Sequence, residues 1–390
     1  MAGSLPLAEG LRVSSKLPDV GTTIFTVMSA LAQECGAINL SQGFPDYPVS
    51  EELLALVGEA LRAGHNQYAP MAGLPALREA LAAKYRRLYA RDYDPGEEIT
   101  ITAGATQAIY TAVAALVKSG DEVIIFEPAY DSYAPAIRLQ GATVVRQQLL
   151  APAFDIDWAA LEAALTHRTR LIILNSPNNP GTSTLSVTDL RKLEALTRGR
   201  DLALLADEVY EHMVFDGALH QSLARSPELA ARSLIVASFG KTFHATGWKI
   251  GYILGPRALM REFRRVHQFN VFCVNTPMQH ALARYLQDPA HYEGLATFFQ
   301  NKRDLLFAGL KTSRFTPVKP RGSYFLLAGF ERISEESDRE FAVRLTREHG
   351  VATIPLSVFH AEGRDRKLLR FCFAKREETL QRAMERLAKV

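Results

Sequence analysis

The sequence predicts a three-layer α/β protein with a mostly parallel central sheet, followed by a smaller α+β domain. Strand-like and helix-like segments alternate over most of the chain, and several of the strand-like segments are apolar on both faces. A strand of that kind needs helices on both sides of its sheet. The repeated strand–helix order is typical of parallel sheets. The last hundred residues then change pattern, which predicts the second domain.

The alternation begins with ITITA at 99–103, and the segment GATQAIYTAVAALV that follows it is predicted to be a helix. Further strands are predicted at 122–128, 142–149, 170–177, 202–209, 233–240 and 249–255. A helix is predicted at 157–165, and another begins at Ser186, where Ser186 and Asp189 have the spacing of a capping box.

The C-terminal part combines strands and helices in a different order. It predicts an amphipathic helix at about 289–311, the strand SYFLLAGF, a charged helix at about 337–349, the strands VATIPLS and KLLRFCFA, and a terminal helix from 376. We therefore expect three parts: a loop-rich N-terminal segment (1–47) that packs with the small domain, a large domain (48–285) and a small domain (286–390).

Composition excludes several classes of protein. A length of 390 residues corresponds to two or three domains of roughly 150 residues each. The net charge of +3 is too balanced to indicate a nucleic-acid or anionic membrane partner. The three cysteines form no C-x-x-C motif, and the histidines show no spacing typical of a metal site. No apolar run approaches the roughly 18 residues of a membrane span, and no signal peptide is recognisable, so we expect a cytoplasmic protein.

Residues that could bind a ligand or take part in catalysis follow four of the predicted strands. Ligands bind at these strand ends in open α/β sheets. The residues are Gly104-Ala105-Thr106, Asn178-Asn179-Pro180-Gly181, Asp207 with Tyr210, and Ser238 with Lys241. The first group could form an anion site at a helix start. Each group alone also has an ordinary structural explanation. Gly104-Ala105-Thr106 and Asp207 could be helix caps, Asn178-Asn179-Pro180-Gly181 could be a turn, and Lys241 could be a solvated surface lysine.

Common nucleotide and hydrolase motifs are absent. Gly240-Lys241-Thr242 would belong to a P-loop only with a glycine at position 235, which is Ile235. The sequence has no G-x-G-x-x-G, H-E-x-x-H or G-x-S-x-G motif. A nicotinamide dehydrogenase is therefore rejected.

Taken together and in this order, the four groups and Gly247-Trp248-Lys249-Ile250-Gly251 resemble the class I, fold-type I pyridoxal-phosphate (PLP) aminotransferases. The resemblance extends over nearly the whole chain. The segments at 21–25, 39–48, 66–80 and 269–279 are most similar to the bacterial methionine aminotransferases, a group close to the kynurenine/glutamine aminotransferases. The kynurenine enzymes typically have Phe-His where this chain has Phe272-Cys273, which argues against a kynurenine-specific enzyme.

The resemblance implies that 48–285 binds PLP, that 1–47 lines the active site, and that Lys241 bonds to the cofactor as a Schiff base (aldimine) and later acts as the base. It implies that Asp207 pairs with the pyridine nitrogen and that Tyr210 and Asn179 bind the 3′-oxygen. It implies that the phosphate is bound by Ala105, Thr106, Ser238, Lys249 and, from a neighbouring subunit, Tyr68. It also implies that the ring of Tyr130 stacks on the pyridine. Tyr68 thereby implies a homodimer with shared active sites.

The resemblance also implies how the substrate is held. Arg370 should clamp the substrate α-carboxylate, because a guanidinium matches a carboxylate bidentately, and Gly43 and Asn179 should share that carboxylate. The side-chain pocket should be formed by Ile24, Phe25, Phe272 and Tyr324. These large residues favour methionine, aromatic residues, histidine or leucine. The expected activity is a ping-pong transamination from an L-amino acid to a 2-oxo acid.

Three other functions are alternatives to this one. A kynurenine/glutamine-type aminotransferase and a cysteine-conjugate or cystathionine β-lyase would share the same motifs, because both reactions begin with the same Cα deprotonation. A PLP-binding transcriptional regulator is disfavoured, because no basic helix-turn-helix precedes the motifs.

Overall fold

The computed structural model describes residues 7–390. Its helices are α1 Ile24–Glu34, α2 Glu51–Arg62, α3 Pro75–Tyr89, α4 Gly104–Leu116, α5 Tyr133–Arg138, α6 Trp158–Ala164, α7 Val187–Thr197, α8 Pro227–Ala230, α9 Phe239–Thr242, α10 Arg257–Asn270, α11 Thr276–Tyr285, α12 Ala290–Glu293, α13 Leu295–Lys311, α14 Asp338–His349 and α15 Glu377–Leu387. Its strands are β1 Ile38–Asn39, β2 Ile99–Thr102, β3 Glu122–Glu127, β4 Thr143–Gln148, β5 Thr169–Asn175, β6 Ala203–Asp207, β7 Ser233–Ser238, β8 Gly251–Leu254, β9 Thr316–Val318, β10 Phe325–Gly329, β11 Val351–Ala352, β12 Ile354–Pro355 and β13 Leu368–Cys372.

The largest sheet in this part of the chain has the strand order β2-β8-β7-β6-β5-β3-β4. Its strands are parallel except β8, which runs antiparallel to both of its neighbours. Along β5, Ile172 and Leu174 belong to one apolar core, and Leu171 and Ile173 belong to another. This alternation places the strand between two apolar layers, which confirms the predicted three-layer α/β class with a mostly parallel sheet.

A second, antiparallel sheet has the order β12-β13-β10-β9 and lies in the C-terminal part. The strand β1 pairs in parallel with β11, and helix α1 contacts α14. The N-terminal segment is thus held against C-terminal elements. The division into domains at 47 and 285 stays a prediction.

Two local predictions differ from the structure. The segment expected to be loop-rich contains the eleven-residue helix α1, which Thr23 caps by accepting from the amide of Thr26. The long helix expected at 289–311 is two helices, α12 and α13, with Gly294 between them. Glycine has the lowest helix propensity after proline, which favours a break at that residue. The capping box of Ser186 and Asp189 is confirmed.

The topology brings the chemical groups to one edge of the sheet. Strands β2, β5, β6 and β7 all run in the same direction, so their carboxyl ends share that edge. Strands β10 and β13 of the second sheet contribute Phe325 and Arg370 to the same region. Among residues 7–390, no helix combines the length and the apolar character needed to cross a membrane.

Candidate active site

A cavity of about 260 Å³ lies at the carboxyl edge of the large sheet. Twelve residues singled out in the sequence line it: Phe25, Gly43, Ala105, Thr106, Tyr130, Asn179, Asp207, Tyr210, Ser238, Lys241, Lys249 and Arg370. They come from segments far apart in the chain, and the fold brings them together around one space.

Asp207 is the buried carboxylate of this cavity. It ends β6, and its Oδ2 accepts a hydrogen bond of 2.6 Å from the hydroxyl of Tyr133. Burial raises the pKa of Asp207 to about 6, although the hydrogen bonds from Tyr133 and the Val209 amide oppose that rise. Within the described residues no cationic side chain forms an ion pair with Asp207. The carboxylate is therefore suited to a positively charged ligand group in the cavity.

Another group of residues that line the cavity is suited to an anion. Helix α4 begins at Gly104, which has a φ of +76°, and its first residues, Gly104 to Thr106, line the cavity together with Ser238. A helix start has unpaired amides that suit an anion. A Cβ at Gly104 would lie 3.5 Å from Nζ of Lys249. A Cβ at Gly251 would lie 3.0 Å from the carbonyl carbon of Gly104. The two glycines thus let a helix start and an ammonium group converge on the same place.

Lys241 lies on the short helix α9, is half-buried and lines the cavity. Its Nζ donates hydrogen bonds to Oη of Tyr324 at 2.9 Å and to the carbonyl of Gly43 at 3.2 Å. Burial lowers the pKa of Lys241 to about 8. An amine with such a pKa is neutral in a sizeable fraction of molecules at mildly alkaline pH, as a nucleophilic lysine requires.

Arg370 is buried on β13. Nη1 donates to Oδ1 of Asn179 at 2.6 Å and Nη2 donates to the carbonyl of Ser41 at 2.8 Å, whereas the buried Nε has no partner. The guanidinium lies 3.9 Å from the centre of the Phe325 ring. Burial lowers the pKa of Arg370 to about 10, so the group is still charged at neutral pH. A carboxylate entering the cavity would supply the missing acceptor.

These donors and acceptors fit pyridoxal phosphate. The helix start, two hydroxyls and Lys249 suit its phosphate, and Asp207 suits its pyridine nitrogen in the protonated form. Lys241 suits its aldehyde. The Nε of Arg370 has no hydrogen-bond partner and could donate to a substrate carboxylate.

Four predicted residues lie outside the walls of the cavity. Ile24 starts α1 and is half-buried. Tyr68 is 83% exposed, and its ring contacts the edge of the Phe272 ring with centroids 5.3 Å apart. In a single chain neither of these two aromatic side chains reaches the cavity. Tyr324, which is predicted to line the substrate side-chain pocket, has its hydroxyl 2.9 Å from Nζ of Lys241. Its place in that pocket stays a prediction.

Several residues of the site were not singled out in the sequence. They include Tyr133, which binds Asp207, together with Gln42, Ile109, Asn175 and Phe325 in the wall. Tyr133 begins α5, and nothing in the sequence around it indicates that its hydroxyl binds a carboxylate. Asn175 ends β5 as Asp207 ends β6, and its side chain donates to the carbonyl of Asp207. The position of polar Asn175 at the end of an apolar strand was the sequence signal that could have identified it.

Comparison with known proteins gives consistent matches over nearly the whole chain. The family model for aminotransferase class I and II matches residues 36–387. The chain is 50% identical over 374 residues to the methionine aminotransferase of Escherichia coli strain K12, a match that covers 96% of this chain and 97% of that protein. It is 40% identical over 386 residues to a probable N-succinyldiaminopimelate aminotransferase of Mycobacterium tuberculosis, covering 96% and 97% of the two chains.

A solved structure matches as closely. The crystal structure of YbdL from Escherichia coli, for which a methionine aminotransferase function was identified, superimposes with a TM-score of 0.96 at 50% sequence identity. The match covers 97% of this chain and 100% of that one. Fold and sequence therefore point to the same set of relatives.

Proposed function

The chain belongs to the aminotransferase class I and II family, and from this premise we propose that it transfers the amino group of L-methionine, or of an amino acid with a similarly large apolar side chain, to a 2-oxo acid. It is a pyridoxal-phosphate-dependent aminotransferase, and its substrates are an amino acid and a 2-oxo acid. The observation that carries the proposal is the arrangement of Lys241, Asp207 and Arg370 around one cavity.

Bound pyridoxal phosphate supplies an aldehyde carbon that bonds to amines and a ring that takes up the electron pair of a broken Cα–H bond. Asp207 would keep a proton on the pyridine nitrogen, because a carboxylate buried without a cationic partner stabilises a positive charge beside it. Tyr133 would hold Asp207 in place through its 2.6 Å hydrogen bond. Tyr210 and Asn179 would hold the 3′-oxygen, and Tyr130 would cover the ring.

Lys241 would carry the proton. When it is not bonded to the cofactor, its Nζ would be an amine with a lowered pKa that could accept a proton from the substrate Cα. The same group would be the proton donor for the adjacent carbon of the cofactor. The first amides of α4, with Thr106, Ser238 and Lys249, would bind the phosphate and fix the position of both carbons.

Arg370 would bind the substrate α-carboxylate through its unpartnered Nε and one Nη group, beside Asn179 and the Gly43 amide. The wall nearest Arg370 contains Phe25 and Phe325, whose ring centres lie 5.2 and 3.9 Å from the guanidinium carbon. These apolar rings favour a thioether or aromatic substrate side chain over a second carboxylate. The 50% identity to a methionine aminotransferase supports the same substrate.

The test is a donor screen with the purified protein loaded with the cofactor. Single L-amino acids are added without any oxo acid, and loss of the cofactor's visible absorption is followed together with release of the 2-oxo acid. We expect methionine to react fastest, with phenylalanine, tyrosine, histidine and leucine behind it. A preference for kynurenine or glutamine would favour the kynurenine/glutamine-type alternative. Pyruvate and ammonia from cystathionine, with methionine inert, would favour the β-lyase.

We also propose a homodimer with shared sites. Support comes from an exposed aromatic surface at 66–73 and 269–274: Tyr68, Phe269 and Phe272 are 83%, 86% and 46% exposed. Exposed aromatic groups of this kind are typical of interfaces. Burial of this surface by a second copy would bring Tyr68 to the partner's phosphate site. The cytoplasmic location stays a proposal supported by three free cysteines.

A further inference from the structure

We propose that Tyr324 is a positioning residue for Lys241. Its hydroxyl oxygen, together with the Gly43 carbonyl, accepts hydrogen bonds from the ε-ammonium group and fixes where that group lies whenever it is not bonded to the cofactor. This inference rests on the proposed role of Lys241 as the proton carrier.

The direction of the hydrogen bonds follows from the geometry. Oη of Tyr324 lies 2.9 Å from Nζ of Lys241 and also contacts the Gly43 carbonyl oxygen closely. A carbonyl can only accept, so the phenol proton is directed to Gly43 and a lone pair of Oη is left for Lys241. The ammonium group thus has two acceptors that are themselves linked.

Tyr324 cannot turn away from this position. Its side chain is 1% exposed, and its ring packs edge-on against Tyr210 and Phe325, with centroids 5.0 and 4.9 Å apart. Its carbonyl accepts from the amide of Phe373 at 3.0 Å. Burial raises the pKa of the phenol well above its usual value, so Tyr324 is a neutral hydroxyl over the working range.

Other charged and titratable groups face Lys241 without binding it. They are Asp207 from β6, Lys249 from the turn before β8, and Arg370 and Cys372 from β13, with the Tyr210 ring centre 5.9 Å from Nζ. Within the described residues only Tyr324 and Gly43 lie within hydrogen-bonding distance of Nζ. Both stabilise the charged amine, whereas burial and the two neighbouring cations favour the neutral amine.

The contact also joins parts of the molecule that are distant in sequence. Tyr324 immediately precedes β10 of the second sheet, Gly43 belongs to the N-terminal segment, and Lys241 follows β7 of the large sheet. The amine is therefore held where these three segments meet. A base that must leave one carbon and approach another needs such a defined resting position.

The test compares Tyr324→Phe with wild type and with Tyr47→Phe. Tyr47 is a nearby tyrosine whose buried hydroxyl has no hydrogen-bond partner, so its removal leaves the contacts of Lys241 intact. Each cofactor-free protein is mixed with pyridoxal phosphate and cyanoborohydride over a pH series. Pyridoxyl-Lys241 is then quantified by mass spectrometry. The midpoint is the pH at which labelling of Lys241 is half-maximal. Because the aldehyde is the same for every protein, a difference between two midpoints reflects a difference in the pKa of the Lys241 amine.

We expect the midpoint for Tyr324→Phe to lie about one pH unit below that of wild type, because the charged amine has lost an acceptor. Tyr47→Phe should match wild type. In the loaded enzyme, Tyr324→Phe should lower kcat of the amino-acid half-reaction roughly tenfold with little change in KM. A midpoint that is unchanged or higher overturns the assignment, even if kcat falls.

The outcome also separates this inference from its premise. Thermal unfolding of Tyr324→Phe close to that of wild type shows that the ring still packs. If wild type is labelled at another lysine and Lys241→Ala stays active, the role of Lys241 itself is wrong. If Lys241 is labelled normally and only the Tyr324 shift is missing, the proposed function stands and the positioning role falls.

Discussion

Nη1 of Arg370 donates a 2.6 Å hydrogen bond to Oδ1 of Asn179, which joins the second sheet to the turn after β5 of the large sheet. Both side chains are buried, and Phe325 covers one face of the guanidinium. The orientation of the guanidinium is therefore set before any substrate enters. Preorganisation of this kind lowers the cost of binding, because no charged side chain has to be ordered afterwards.

Replacing Arg370 should weaken the binding of the substrate carboxylate. In Arg370→Lys, the ammonium group cannot bind Asn179 and a carboxylate in the same fork geometry. We expect kcat/KM for methionine to fall roughly 100-fold, from the loss of a charged hydrogen bond worth about 1.5–3 kcal/mol. Steady-state kinetics with a fixed oxo acid would measure this.

The control for Arg370→Lys is a donor without a carboxylate. An amine or amino alcohol with the methionine side chain should react slowly in both proteins, and the variant should lose little further activity on it. An equal loss on both donors would show that the substitution has disturbed the site as a whole.

Asp207→Asn should have opposite effects with and without cofactor. Burial raises the pKa of Asp207 to about 6, so the folded protein binds this proton more tightly than the unfolded chain does. Stability without cofactor therefore falls as the pH rises from about 4 to about 6, and the full cost persists above that range. The neutral amide removes this cost.

We expect Asp207→Asn to stabilise the cofactor-free protein by roughly 2–3 kcal/mol at neutral pH, with a difference that shrinks towards about pH 4. Chemical unfolding at several pH values would measure it. The same variant should bind pyridoxal phosphate more weakly, because a positive pyridine nitrogen has lost its carboxylate. Asp201→Asn, at an exposed carboxylate, should change neither quantity.

Glu211→Gln should destabilise the protein without touching the cavity. Oε1 of Glu211 accepts from Lys84 at 2.5 Å, and its two oxygens accept from Tyr252 and Tyr89 at 2.7 and 2.6 Å. Burial lowers the pKa of Lys84. At Glu211 burial acts to raise the pKa, but Lys84 above all, with His212 and Tyr89, outweighs it and holds that pKa below the usual range. Glu211 is therefore ionised at neutral pH, and it forms a buried ion pair with Lys84.

Removing one charge leaves the other buried and unpaired, so we expect a loss of about 3–5 kcal/mol in the free energy of unfolding. The double variant Lys84→Met with Glu211→Gln should recover much of this loss, since no uncompensated charge is left. Denaturant unfolding of the four proteins measures the coupling between the two residues. If the loss in the free energy of unfolding of the double variant equals the sum of the two single losses, the two residues are not coupled and the buried ion pair is wrong.

Subunit mixing tests the shared site. Tyr68→Ala and Lys241→Ala should each be strongly impaired alone. If Tyr68 completes the site of the neighbouring subunit, a mixed dimer contains one site with both residues intact. Random exchange of equal amounts should then restore about a quarter of wild-type activity. Sedimentation of each variant checks that it is dimeric, and no recovery after proven exchange would place Tyr68 outside the partner's site.

The sequence was most informative at charged residues that lie at the ends of apolar strands. Asp207 and Lys241 end or follow apolar strands, and a charged residue in such a place is costly unless it serves a site. Their places at the sheet edge follow from strand direction alone. The element order and the parallel sheet could be predicted for the same reason, because the strand patterns are long and regular.

Contacts that depend on tertiary packing could not be predicted. The hydroxyl of Tyr133 reaches Asp207 across 74 residues, and that of Tyr324 reaches Lys241 across 83. Nothing in either local sequence distinguishes a tyrosine that packs from one that binds a charge. Helix α1 was missed because it is short and lies in a segment rich in turn residues, and its stability comes from its contact with α14.

The pairing of β1 with β11 has a consequence for how the protein is made. Ile38 meets Val351, and the carbonyl of Leu40 accepts from the amide of Cys372, so one wall of the cavity joins early residues to late ones. The large sheet uses only residues 99–254 and can form while the ribosome is still extending the chain. Gly43 and Arg370 can meet only after Arg370 has been synthesised. A nascent or truncated chain would therefore hold half of the cavity, with the cofactor-facing residues in place and no guanidinium to select a substrate.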